Sequence, residues 1–221
     1  MAVRIALHPI NLHDGSMVKV YVGPENNCFF VPREILCSQS IYCDRLLNRI
    51  PAGQLVDSVY LKEDEPAAFG LLTEWMLDET LALDIHEITV LTKINAPGGE
   101  DALEEGLHLL CALYCLCERI QVPKIEAEIL KQIRGLVRHG SKFSLQPPTV
   151  RMVLKNAPET SMLHEYVLQG VTDDLLDERG HDYDHYSELL EGPRAVQGMV
   201  KALFKRMKRR GFDWSRQPGT S

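Results

Sequence analysis

The chain has 221 residues, 45% of them hydrophobic, with 24 Lys/Arg against 31 Asp/Glu and a formal net charge of −7. This is ordinary globular composition, enough for one large domain or a smaller one with an extension. No apolar run approaches the ~20 residues of a membrane helix, and the acidic balance argues against general nucleic-acid binding.

Arg4, His8 and His13 interrupt the N-terminus. No secretory-type apolar block forms there, so we expect an intracellular protein, cytoplasmic and/or nuclear. Val3, Ile5 and Leu7 alternate within an N-terminal arm over residues 1–16. Val18, Val20 and Val22 then face one way, and Met17, Lys19 and Tyr21 the other, which predicts a strand. "GPENN" is a turn, and Phe29 and Val31 resume the alternation, so the pair reads as a hairpin. Pro32 has no N–H to donate and suits the first position of a helix. The hairpin is therefore predicted to end at Val31, with a short helix from about Arg33.

Ser40 is a good N-cap for a second helix. Cys43, Leu46, Leu47 and Ile50 recur at helical spacing behind it, and "PAG" at 51–53 ends the run. "DSVYL" supplies a third strand, with Val59 and Leu61 on one face. In "EDEPAAFGLLTEWML" acids precede Pro66, as a helix start favours, and Phe69, Leu72, Trp75 and Met76 make the buried face. "IHEITVLTKI" over 85–94 reads as an edge strand and "NAPGGEDA" as a loop. "LEEGLHLLCALYCLCERI" is apolar nearly all round, which predicts a central, buried helix. Pro123 opens another helix to about His139, with Ile125, Ile129, Ile133 and Val137 every four residues. After a break at 140–148, helical segments are predicted at about 149–156, 160–176, 183–191 and 194–210.

The order is two strands, a helix pair, one strand, then helices. Three strands cannot enclose a core this large. The expected class is α+β, a helical cluster capped by a small three-stranded sheet and followed by an all-helical C-terminal extension.

These residues resemble the BTB/POZ domain, with wording closest to its fungal branch. "VKVYVG" is similar to the first strand. "FFVPREILCSQSIYC" is similar to the family pattern Phe-x-Val-His-Lys-x-x-Leu-x-x-x-Ser-x-x-Phe. "VYLKEDEPAAFGLLTEWML" and "LYCLCERIQVPKIEAEIL" are similar to the later strand-helix segment and helix pair. The resemblance covers 17–139, the BTB/POZ-like domain; 149–210 is similar to the helical extension of fungal members, and 211–221 is expected to be a flexible tail. It implies a non-enzymatic protein–protein interaction module, a self-associating adaptor or scaffold, with a homodimer expected and no cofactor.

Site residues follow from the same resemblance. The family's usual His after the second strand is Pro32, and the neighbouring basic residue is kept as Arg33. In corepressor-binding members that basic residue faces an Asp just before the first strand. The matching position here is Met17, which departs from that pattern. Cullin-type ubiquitin-ligase adaptors use a hydrophobic-x-Glu element after the second helix. Here Ile50-Pro51-Ala52 puts Ala52 where Glu is needed, which weakens that alternative, because a methyl group cannot make a carboxylate's charge-assisted hydrogen bonds. Met17, Arg33, Leu46, Leu47, Ile50 and Ala52 are the interaction candidates. An N-terminal strand that crosses to a partner's sheet is a further implication.

Three other features bear on function. The six cysteines sit in apolar, periodic segments, so buried free thiols are expected rather than disulfides. His181, Asp184 and His185 cluster in "RGHDYDHYSELL". With His181 and His185 four apart, they offer a metal-dependent enzyme as the alternative from another class, against the plainer reading of a solvated helix start. Residues 201–221 carry seven Lys/Arg and one acid, net +6, leaving −13 for residues 1–200. Lys205, Arg206, Lys208, Arg209 and Arg210 would suit an import signal, or form the solvated back of a helix docked through Leu203, Phe204 and Met207.

Overall fold

Alternating valines commit the first strand to one buried face, and the rest of its unit is arranged around that face. The computed structural model describes residues 17–48, 57–81, 99–137, 145–175, 186, 189, 198–200 and 202–203. The expected strands at 3–7 and 85–94 lie outside them. The chain divides into two compact units, Met1–Ala82 with Ile120–Val122, and Leu83–Arg119 with Pro123–Ser221. This division falls inside residues 17–139.

In the first unit β1 (Met17–Val22) pairs antiparallel with β2 (Asn27–Pro32), with Val18 opposite Val31 and Val20 opposite Phe29. Gly23 opens the turn at φ +77°, and a Cβ there would stand 3.2 Å from Pro66 Cγ. Both the backbone angle and the close approach therefore call for glycine. The strand runs one residue further than its sequence predicts. Pro32 pairs with Met17 and stays extended at φ −57° and ψ 129°, so it precedes the helix instead of starting it. Its missing N–H is harmless at the end of an edge strand.

Then come α1 (Arg33–Gln39), α2 (Ile41–Asn48), β3 (Ser58–Leu61) and α3 (Pro66–Asp78). β3 lies parallel to β1, and the sheet order is β2-β1-β3. A parallel neighbour needs a long crossover, which the helix pair supplies. Val18, Val20, Val22, Val31, Val59 and Leu61 are buried together with Leu36 of α1 and Ala68, Phe69 and Leu72 of α3. Each of these Val, Leu and Phe side chains contributes roughly 1.5–3 kcal/mol relative to exposure. Phe69 also meets the Phe29 ring edge-on, with centroids 5.0 Å apart at 66°. The expected α+β class and three-stranded sheet are what the structure has.

In the second unit α4 (Gly99–Ile120, its last residue grouped with the first unit) is followed by α5 (Pro123–Val137), α6 (Pro147–Asn156) and α7 (Met162–Leu175). Every residue from Leu110 to Cys117 is buried, as expected of a central helix. Three readings shift. The loop read over 95–102 gives way to helix at Gly99, where Glu100 and Asp101 are residue types that a first turn favours. On α5 the fourth buried turn is made by Leu136, while Val137 is half-buried. Steps of four overshoot a 3.6-residue turn by about 40° each, so the strict four-residue run drifts off the core face. α6 begins at Pro147, with proline in its first turn, inside the break read at 140–148. Of the segments read at 183–191 and 194–210, Tyr186, Leu189, Gly198–Val200, Ala202 and Leu203 are described and helical. Buried Tyr186 donates a 2.9 Å hydrogen bond to Asp174 Oδ2.

α7 carries a pH-sensitive group. Ser161 caps it, its Oγ accepting from His164 N at 3.1 Å. His164 is buried, and that burial lowers its pKa from 6.5, with Glu159 opposing. The folded chain therefore favours the neutral ring, and the unfolded chain takes the proton first. The stability this group contributes is full above about pH 6.5 and falls as pH drops through the lowered value. We expect His164→Gln to flatten the fall in urea midpoint between about pH 7 and pH 5, measured against the native chain.

Candidate protein-interaction surface

The junction from β2 through α1 to α2 holds the candidates Arg33, Leu46 and Leu47, and hydrogen bonds set its shape. Ser40 ends α1, its N–H bonding Leu36 O at 3.0 Å, and starts α2, its Oγ accepting from Cys43 N at 3.0 Å. The same hydroxyl donates to Ile120 O at 2.6 Å, and Ile41 N donates to Gln121 O at 3.2 Å. One buried serine thus closes the helix corner and ties it to residues eighty positions later.

Arg33 turns back onto α2. Its Nη1 donates to Leu47 O at 3.0 Å and to Asn48 Oδ1 at 3.2 Å, and Asn48 Nδ2 donates to Asp44 Oδ1 at 2.8 Å. A cation suits carbonyls of a helix's last turn. Arg33 is therefore part of the frame that holds α1 to α2, and Arg33→Glu would perturb the frame before it perturbed a partner. Burial raises the nearby Cys37 thiol, with Arg33 opposing and Asp44 adding to the rise.

Of the other candidates, Met17 is 38% exposed, Leu46 is half-buried and Leu47 is buried, so Leu47 serves the core of this unit. Ile50 and Ala52 lie outside the described residues, as do His181, Asp184, His185, Lys205, Arg206, Lys208, Arg209 and Arg210. Ala202 and Leu203, just before the basic run, are half-buried.

Sequence reasoning missed the surface's largest apolar groups. Ile41 and Tyr42, at the start of α2, are 45% and 39% exposed. On the outer face of the sheet Phe30 and Tyr60 are each 57% exposed, and Tyr60 stacks on Tyr21 at 5.0 Å and 15°. Alternation implied Phe30, since it must point opposite to Val31; Ile41 and Tyr42 carried no comparable signal. The cysteines also divide differently from expectation. All six are free, and Cys43, Cys111, Cys115 and Cys117 are buried. Cys37 is half-buried, and Cys28 is exposed because it shares the outward row with Tyr21. Burial pushes the Cys43 thiol up to about 11 and raises that of Cys111 as well, so neither is a ready nucleophile.

Among the described residues no group of three or more His, Cys, Asp or Glu is placed to hold a metal ion. Among them, too, no helix is long and apolar enough to cross a membrane. No protein-family model matches the chain, and a search of curated proteins found no match.

Proposed function

We propose that the chain is a non-enzymatic protein–protein interaction module, a BTB/POZ-like adaptor or scaffold that self-associates as a homodimer. The carrying observation is the exposed pair Ile41 and Tyr42. They sit on α2, the helix that also carries the interaction candidates Leu46 and Leu47. The element order β1-β2-α1-α2-β3-α3 supports the reading. So does the rigidity of the corner, where Ser40 and Arg33 fix α2 before any partner arrives and reduce the ordering cost of association.

Size-exclusion chromatography with light scattering tests it. The native chain should run at twice the monomer mass. Ile41→Asp with Tyr42→Asp should weaken the dimer by about a hundredfold or more, as removing central apolar anchors does. Helix stability should hold, because acids suit a first turn. A native chain that stays monomeric at high micromolar concentration overturns the proposal.

A further inference from the structure

The outer face of the sheet is a second apolar surface, distinct from the Ile41/Tyr42 pair. The strand register lays it out in three cross-strand rows. Pro32 lies opposite Met17; Phe30, Lys19 and Ser58 form the middle row; Cys28, Tyr21 and Tyr60 form the third. Lys19 sits at the centre. Phe30 and Ser58 flank it across the strands, and Met17 and Tyr21 flank it along its own strand. It is the single charge among these eight residues. Among the described residues no carboxylate forms a salt bridge with it.

This pattern constrains any occupant. Phe30, Tyr60 and the Tyr21–Tyr60 stack present aromatic area of the kind that anchors interfaces. Covering that area removes water from Lys19, and a desolvated ammonium is costly unless a negative group meets it. Among the described residues the three rows of this face bring no such group. A second copy docked through a two-fold axis would bring another Lys19, since such contacts are self-complementary. That arrangement sets like charges against each other at the centre.

We infer that the outer sheet face docks a different protein, through a segment that carries one Asp or Glu between aromatic or aliphatic side chains. The carboxylate meets Lys19, and its apolar neighbours cover Phe30 and Tyr60. This inference does not rest on the homodimer reading, because none of its residues belongs to α2.

The test is selection from a phage-displayed library of random linear peptides against the full-length chain, its Lys19→Glu variant and its Phe30→Ser/Tyr60→Ser variant. All three substitutions are at exposed positions, and circular dichroism confirms that each variant is folded. The native chain should enrich peptides with one acid flanked by apolar residues. Lys19→Glu should switch the selected charge to Lys or Arg, and the double serine variant should enrich neither. An enriched acidic peptide, titrated by fluorescence anisotropy, should bind Lys19→Glu about tenfold more weakly or worse. Three results overturn the inference. One is no enrichment on the native chain. Another is enrichment with no acid preference, or one that Lys19→Glu leaves unchanged. The third is loss of self-association in Phe30→Ser/Tyr60→Ser by light scattering, which would make a second copy the occupant. Loss of self-association only in the α2 variant leaves this inference standing and bears on the homodimer alone.

Discussion

Ser40→Ala is expected to lower unfolding stability by about 2–4 kcal/mol, several times what a surface substitution does. Two losses add. The Oγ that accepts from Cys43 N disappears, which as an N-cap is worth about 1 kcal/mol. The donor to Ile120 O disappears as well, from a site that water does not reach freely, and a buried acceptor left without that partner costs about 1–3 kcal/mol. Ser161 supplies the comparison. It is also a buried serine accepting from the N–H three residues on, but among the described residues its hydroxyl makes no bond across the chain of the kind Ser40 makes. Ser161→Ala should cost close to the cap value alone. Urea unfolding of both variants separates the contributions. Equal losses would show that the Ser40–Ile120 bond adds nothing to the cap.

Phe69→Ala should be the more damaging change, at about 3–5 kcal/mol. The side chain is fully buried on α3, and its loss removes both the transferred apolar area and the edge-on contact with Phe29 on β2. Domains of this size have about 5–15 kcal/mol in hand, so a single loss of this size is a substantial share of it. Phe69→Leu keeps much of the volume and should cost roughly 1–2 kcal/mol. Because Phe29 and Phe30 are neighbours on opposite faces, loosening Phe29 should also disturb the outer sheet face. Urea midpoints by tryptophan fluorescence provide the check, with Trp75 on the same helix as a reporter. Equal midpoints for the alanine and leucine variants would mean that the site collapses around the smaller side chain.

Much of the fold was legible because short-range periodicity carries it. Val18, Val20 and Val22 had to share one face, Ser40 had to cap, and Phe69, Leu72, Trp75 and Met76 had to point inward. Each of these follows from a backbone period and from which side chains leave water. Boundaries were less legible. Pro32 extended its strand by one residue because an edge position tolerates a missing donor, and Val137 yielded to Leu136 because four-residue steps drift on a 3.6-residue helix.

The candidate surface was legible only in part. The resemblance implies a partner-facing cation at Arg33, yet Arg33 donates to Leu47 O and Asn48 Oδ1 of its own helix pair. A one-dimensional pattern records that a residue is basic but not which carbonyl lies within reach. Leu47, an interaction candidate on the helically spaced stripe of α2, is buried and serves the core of its unit.

By itself the sequence determined the α+β class, the hairpin, the helix pair and the inward faces, since each depends on neighbours within a few residues. Only the tertiary structure decided that β3 lies parallel beside β1. That placement puts Lys19 at the centre of the sheet, between Phe30 and Ser58, and brings Tyr60 onto Tyr21. It also decided that the hydroxyl of Ser40 reaches Ile120, eighty residues on. Both depend on long-range packing, where the energy of bringing distant segments together comes from the whole core and leaves no mark in local spacing.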